Sequence, residues 1–408
     1  MDNVDHRASH EPVDFAPMAA SRLRLVASSA WCVAFVTWLA SAGLTFDRLT
    51  LVFWVVTALV AFTLGTRPWW QAPLDWMPFI IFFLVYDYTR GVATSLGVPT
   101  HWELPARIDQ MLGFGQVPTV WLQEHLAEPA TRIPWWERLT GATYVSFFVV
   151  PIVLGAVLWL RSRADFASFM LRFTLISAIA LTGYVLVPAA PPWAAARCTH
   201  AEVVTHPSNP RCMYDSTPEH RGHTVLKPLT SPREGFSPIV KRISPRGWYE
   251  IPGLRMTSGF LKTGIDASNR VAAIPSLHAA TAMFISVFLW PRVRRRWRLL
   301  LGVYPVAMAF TLVWGGDHYV FDVLLGWLAV LVAMRLAGWI ERRLGSRRIG
   351  ERMSRPGGRG ARKDVEESPD SVERRWWLTA THGDVRDSAT EIKPPTALRG
   401  TGKGETVR

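Results

Sequence analysis

Long apolar runs alternate with polar stretches along this chain. Eight runs approach the ~20 residues needed to cross a bilayer: 23–44, 49–65, 74–90, 141–160, 166–188, 271–290, 297–316 and 320–340. In hydrocarbon a segment must satisfy its own backbone hydrogen bonds, so runs of this length are read as helices. The pattern predicts an all-α fold, a polytopic membrane bundle of about eight transmembrane helices. The first twenty residues are polar and mixed in charge, and no cleavage site follows the first apolar run, so no signal peptide is expected. Two long stretches, 91–140 and 189–270, interrupt the spans. Beyond 345 the chain is charged, rich in Gly and Arg, and without a sustained apolar period. The expected organisation is a polar tail at 1–20, a membrane domain at 21–344 and a disordered basic tail at 345–408.

Charge orients this bundle. The 408 residues carry a formal net charge of +13, a value that could suggest nucleic acid. The basic residues instead cluster at alternate span ends: Arg22 and Arg24, Arg67, Arg161 and Arg163, the run "PRVRRRWR" at 291–298 and "ERRLGSRR" at 341–348. All fall on one side if both termini are cytoplasmic, as the positive-inside rule requires. Nucleic acid is therefore not an expected partner; the bilayer is. Arg predominates over Lys, with abundant Ala and Trp, which points to a GC-rich bacterial genome and so to a bacterial plasma membrane. The loops 91–140 and 189–270 then lie outside. In the first of them Ile108, Met111, Leu112, Val120, Trp121 and Leu126 recur at helical spacing. Interfacial helices on the outer leaflet and packing against the bundle explain that stripe equally well. Cys198 and Cys212 share the second outer loop, a placement compatible with a disulfide.

The candidate chemistry gathers at the outer ends of the last spans. "IPSLHAA" (274–280) places His278 where the sixth span begins, and "WGGDHYVFDVLLG" (314–326) joins the seventh to the eighth. His318 and Asp322 are spaced i, i+4, so on a helix they share one face. This constellation suits covalent phosphoryl transfer. A neutral His can attack phosphorus when a carboxylate holds its other ring nitrogen and stabilises the imidazolium that forms. A second His, here His278, can protonate the leaving alkoxide. Pro275 suits the first turn of a helix, and Ser276 with the following N–H groups can cradle an anion. Arg90, Arg197, Lys262 and Arg270 on the same face are candidate phosphate-binding cations.

"PSLH" followed by "HYVFD" resembles the second and third signature motifs of the type-2 phosphatidic acid phosphatase superfamily. The closer likeness is to the branch that contains inositol phosphorylceramide synthase, with "YDYTRG" (86–91) and "PAAPPW" (188–193) adding to it. The resemblance implies a six-helix catalytic core, a lipid phosphate or phosphodiester as substrate, no metal and no cofactor. It implies that His318 becomes phosphohistidine, that Asp322 orients it, that His278 is the leaving-group acid and that Ser276 binds phosphate. Departures accompany it. Leu277 stands where the common phosphatase form has Gly, Thr311 and Leu312 where the third motif has Ser-Arg, and Lys262 and Arg270 are one residue too far apart for the first motif. The expected activity is a membrane lipid phosphatase or phosphotransferase at the outer face, with water or a hydroxyl as acceptor.

Other readings of the same residues belong to different classes. His278, His318 and Asp322 could ligate zinc in a metal-dependent intramembrane hydrolase, or relay protons in a transporter. Asp322 or Asp317 could simply cap a helix, and Arg90 could be an interfacial anchor paired with Asp87.

Overall fold

The computed structural model describes residues 16–42, 48–89, 92, 96–128, 133–207, 210–213, 224–226, 240, 242–243 and 274–353. In chain order the α-helices are α1 (Ala16–Ala42), α2 (Arg48–Thr63), α3 (Gln71–Asp75), α4 (Met77–Thr89), α5 (Leu104–Leu112), α6 (Pro118–Leu126), α7 (Trp135–Arg161), α8 (Arg163–Leu186), α9 (Pro192–Ala195), α10 (His200–Thr205), α11 (Leu277–Leu289), α12 (Arg295–Trp314) and α13 (Val320–Met353). Among the described residues there is no β-sheet, and the protein is an all-α membrane helix bundle.

An apolar helix answers each of the eight predicted runs. By length and composition α1, α7, α8, α12 and α13 are able to cross a membrane. Helices α2, α4 and α11, of 16, 13 and 13 residues, reach only about 20–24 Å at 1.5 Å per residue. The boundaries moved for local reasons. The run at 74–90 is broken at Trp76, which ends α3 before α4 begins. The run at 271–290 becomes helical only at Leu277, because Ser276 takes the N-cap. Helix α13 runs on past 344 to Met353, through a stretch with three Arg, a good helix former, among its nine residues. The chain divides into two compact units, Met1–Gly345 and Ser346–Arg408. The tails expected at 1–20 and 345–408 lie largely outside the described residues.

One apolar core unites α2, α4, α7, α8, α11, α12 and α13, with Trp76, Phe79, Trp159, Phe169, Phe284 and Met308 at its centre. Offset and edge-on aromatic pairs fill it, Phe79 on Phe173 at 4.4 Å and Phe169 on Phe284 at 5.1 Å among them. Among the described residues, helix α1 adds nothing to this core. It packs on α2 through Trp31, Phe35, Trp38 and Trp54 and otherwise exposes apolar side chains such as Val33 and Val36, an arrangement favourable only in lipid.

The Arg-bearing helix ends meet at one end of the bundle. Arg67, after α2, donates to the Trp159 carbonyl near the end of α7. Arg163 pairs with Asp75, Arg292 with Asp165, and Arg172 with Glu341. Helices α5 and α6 belong to the loop layer. Their stripe is split: Met111, Leu112 and Trp121 are exposed, whereas Val120 and Leu126 pack on buried neighbours. The residues these helices bury most fully are polar, Asp109, Thr119 and Gln123.

Candidate active site

The two signature segments are fastened to each other through their backbones. Ser276 caps α11, its hydroxyl oxygen accepting the Ala279 N–H at 3.3 Å. Pro275 therefore precedes the cap instead of occupying the first turn, a correction to the expectation from sequence. The Ser276 N–H donates to the Asp322 carbonyl at 3.0 Å. One turn beyond Asp322, a Cβ on Gly326 would lie 2.5 Å from the Ser276 carbonyl oxygen, so the α11 cap and α13 are in backbone contact there.

His318 is in the turn between α12 and α13, not on a helix; α13 begins at Val320. The i, i+4 pair nevertheless meets. His318 Nδ1 is 3.3 Å from Asp322 Oδ2, and both side chains are buried. The same carboxylate oxygen accepts the Tyr319 N–H at 2.9 Å, half of a capping arrangement in which the third helical residue reaches back to the cap. Asp322 therefore caps the helix and holds the histidine at once. An ionised carboxylate can only accept, so with Asp322 ionised His318 would carry its proton on Nδ1 and keep the lone pair on Nε2. His278 is in the first turn of α11, with ring centroids 5.9 Å from His318, 4.9 Å from Tyr144 in a stacked pair and 4.0 Å from Phe147.

The loop layer clamps this turn from several directions. Asp109, on α5, accepts the Phe321 N–H at 2.8 Å and the Val320 N–H at 2.9 Å, satisfying two of the orphan donors at the start of α13. Burial pushes the Asp109 carboxyl up to about 6; the two backbone hydrogen bonds oppose this and the charge of Asp322 adds to it. Gln123, on α6, donates to the Trp314 carbonyl at 2.8 Å. The Ile243 and Trp193 N–H groups donate to the carbonyls of Gly315 and Gly316, each at 3.1 Å. Arg242 Nε donates to Asp317, and Tyr144 is near enough to the same guanidinium to bear on its charge. Gly316 sits at a φ of 75°, open to glycine at little cost. Trp193 of "PAAPPW" is buried and its N–H holds the turn. Cys198 and Cys212 form a disulfide with Cα atoms 5.3 Å apart, inside a small cluster with Trp102, Trp193 and Met213.

Ser276, His278, His318 and Asp322 come together as the spacing suggested. Arg90, Lys262 and Arg270 lie outside the described residues, and Arg197 packs over the Trp193 ring. Among the described residues no group of three or more His, Cys, Asp and Glu side chains converges as a metal ion requires. Asp109, Gln123, Tyr144 and Arg242 were not singled out from sequence. For Asp109 and Gln123 a signal existed in helical spacing, since each stands on the face opposite an apolar residue of the stripe, Met111 or Trp121. For Arg242 there was none.

The family model of the PAP2 superfamily matches residues 106–336, from Ala106 in α5 to Leu336 in α13 and so across both signature segments and the clamp. The chain belongs to the PAP2 superfamily. It is accordingly a membrane enzyme of phosphoryl transfer, in a family of lipid phosphatases and phosphotransferases. The phosphoinositol dihydroceramide synthase of Bacteroides thetaiotaomicron is 26% identical over 278 residues, 65% of this chain and 74% of that protein. No solved structure matches the chain. The PAP2 match leaves out α1 to α4, none of which carries a site residue in the described structure.

Proposed function

We propose that this PAP2 protein transfers a phosphoryl group between lipids through a phosphohistidine on His318. The pairing of His318 Nδ1 with Asp322 at 3.3 Å, with the His278 ring 5.9 Å away, carries this reading. In the first step His318 Nε2 attacks phosphorus, the bond to the leaving alcohol breaks, and His278 gives that oxygen its proton. In the second, His278 takes the proton of an acceptor hydroxyl, whose oxygen attacks phosphorus; the P–N bond breaks and His318 recovers its lone pair. General acid–base help of this kind is worth roughly 10²–10⁴-fold. Likeness to a synthase supports a hydroxyl-bearing acceptor over water.

The gathering of Arg67, Arg163, Arg172 and Arg292 at one end of the bundle supports an outward-facing site with both termini cytoplasmic. A disulfide in the loop layer agrees with an oxidising, extracytoplasmic compartment. The test is a rapid quench of purified enzyme with a lipid radiolabelled in its phosphoryl group, in EDTA. Acid-labile, base-stable label on wild type and none on His318→Ala is the expected result. Equal labelling or equal turnover of the two proteins would overturn the phosphohistidine, and loss of wild-type turnover in EDTA would replace it with metal chemistry.

A further inference from the structure

Three buried carboxylates lie in or against the 317–322 segment that carries His318: Asp109, which holds the Val320 and Phe321 N–H groups, Asp317 and Asp322. Unscreened negative charge at the mouth of α13 would repel a lipid phosphate, and the helix N-terminus offsets only about half an elementary charge. Asp322 is engaged by His318, and Asp109 by the first turn of α13. Asp317 has no part in the two-histidine chemistry, yet it adjoins His318 and is 6% exposed.

The geometry points to Arg242 as the cation that binds the substrate phosphoryl group, with Asp317 and Tyr144 as the residues that aim it. This rests on the proposed phosphohistidine reading and gives it the charge it needs. Arg242 touches the surroundings of both histidines at once. Its Nε donates to Asp317 Oδ1 beside His318, and Tyr144, whose ring stacks on His278 at 4.9 Å, is near enough to bear on its charge. The Trp193 ring lies 5.6 Å from its central carbon. A guanidinium offers five N–H donors in a planar fork suited to phosphate oxygens, and the bond from Nε to Asp317 uses one of them. An Arg held by a carboxylate on one edge presents its other edge in a preset direction, the preorganisation that makes electrostatic catalysis effective. The adjoining Ile243 N–H is anchored on the Gly315 carbonyl at 3.1 Å, so loop and site move together.

A purely structural ion pair is the competing account, and a double-mutant cycle separates the two. Arg242→Gln, Arg242→Lys, Asp317→Asn and the pair Arg242→Gln/Asp317→Asn would be assayed on phosphatidic acid in mixed micelles. Orthovanadate, a phosphoryl mimic, serves as inhibitor and as a ligand in thermal shift. If Arg242 binds phosphate, Arg242→Gln lowers kcat/KM by roughly 10- to 100-fold and weakens vanadate binding alike. Asp317→Asn is milder, and the double variant stays as impaired as Arg242→Gln. Arg242→Lys, which keeps the charge without the fork, falls between and covers the case in which the Gln variant does not fold. Recovery in the neutral double variant, or unchanged vanadate binding in both Arg242 variants, overturns the assignment. An inactive His318→Ala beside a fully active Arg242→Gln would sink the Arg242 role alone, whereas an active His318→Ala would sink the phosphohistidine beneath it.

Discussion

The backbone N–H of Ser276 donates to the backbone carbonyl of Asp322 at 3.0 Å, joining two segments that are 46 positions apart in the numbering. Through this bond the helix that carries His278 and the helix that carries Asp322 share one frame. Side-chain changes cannot break it directly, but packing changes can.

Gly326→Ala does so. The added methyl falls 2.5 Å from the Ser276 carbonyl oxygen and 3.3 Å from the Ala280 nitrogen. Both are backbone atoms with no rotamer to relieve the clash, so α11 and α13 must part. A loss of about 1–3 kcal/mol is expected, together with a fall in kcat, read by thermal unfolding and turnover in the same detergent. Gly302→Ala is the control. Its nearest neighbour is a Trp290 ring carbon at 3.9 Å, an ordinary contact, so a helix-interior alanine there should be neutral or stabilising by up to about 1 kcal/mol.

Asp109 gives a pH signature. Its carboxyl is raised from 3.8 to about 6 by burial, so between those values the folded state holds a proton that the unfolded state has released. This contribution to stability is complete below about pH 4 and declines as pH rises toward 6. At 1.36 kcal/mol per unit the loss is about 3 kcal/mol. Asp109→Asn removes the titration while keeping one acceptor for Val320 or Phe321. The stability advantage of wild type over Asp109→Asn should therefore be largest near pH 4 and shrink toward pH 7 in denaturation at stepped pH; a constant difference would refute the raised pKa.

Asp322→Asn preserves size but can present an N–H to His318 Nδ1, favouring the tautomer that lacks a lone pair on Nε2. By analogy with the carboxylate of hydrolase triads, phosphoenzyme formation should fall by roughly 10³–10⁴-fold. Quenched-flow labelling measures it directly, and a fall of less than tenfold would argue against an orienting carboxylate.

Reducing the Cys198–Cys212 disulfide releases a loop whose ends are 14 residues apart. Chain entropy assigns such a closure about 3 kcal/mol. Because Trp193 packs in the same cluster and its N–H holds the Gly316 carbonyl, reductant or the double Cys→Ser change should lower both the melting temperature and the turnover. Lowered stability with unaffected turnover would detach the disulfide cluster from the site.

Hydropathy and motif spacing were enough, without coordinates, to assign the helical spans and the pairing of His318 with Asp322. These are local properties. A bilayer imposes a length on each helix, and i, i+4 neighbours meet whether the stretch is fully helical or, as at His318, a turn leading into a helix. Asp109, Gln123 and Arg242 became visible only in the fold. Asp109 reaches Phe321 across 212 positions and Gln123 reaches Trp314 across 191, and periodicity tells which face of a helix is unusual, not what that face touches. The inward polar face of α5 and α6 has its reason in the backbone groups at the 314–321 turn. Those groups need partners because they are buried, and which partners they find depends on how distant helices pack.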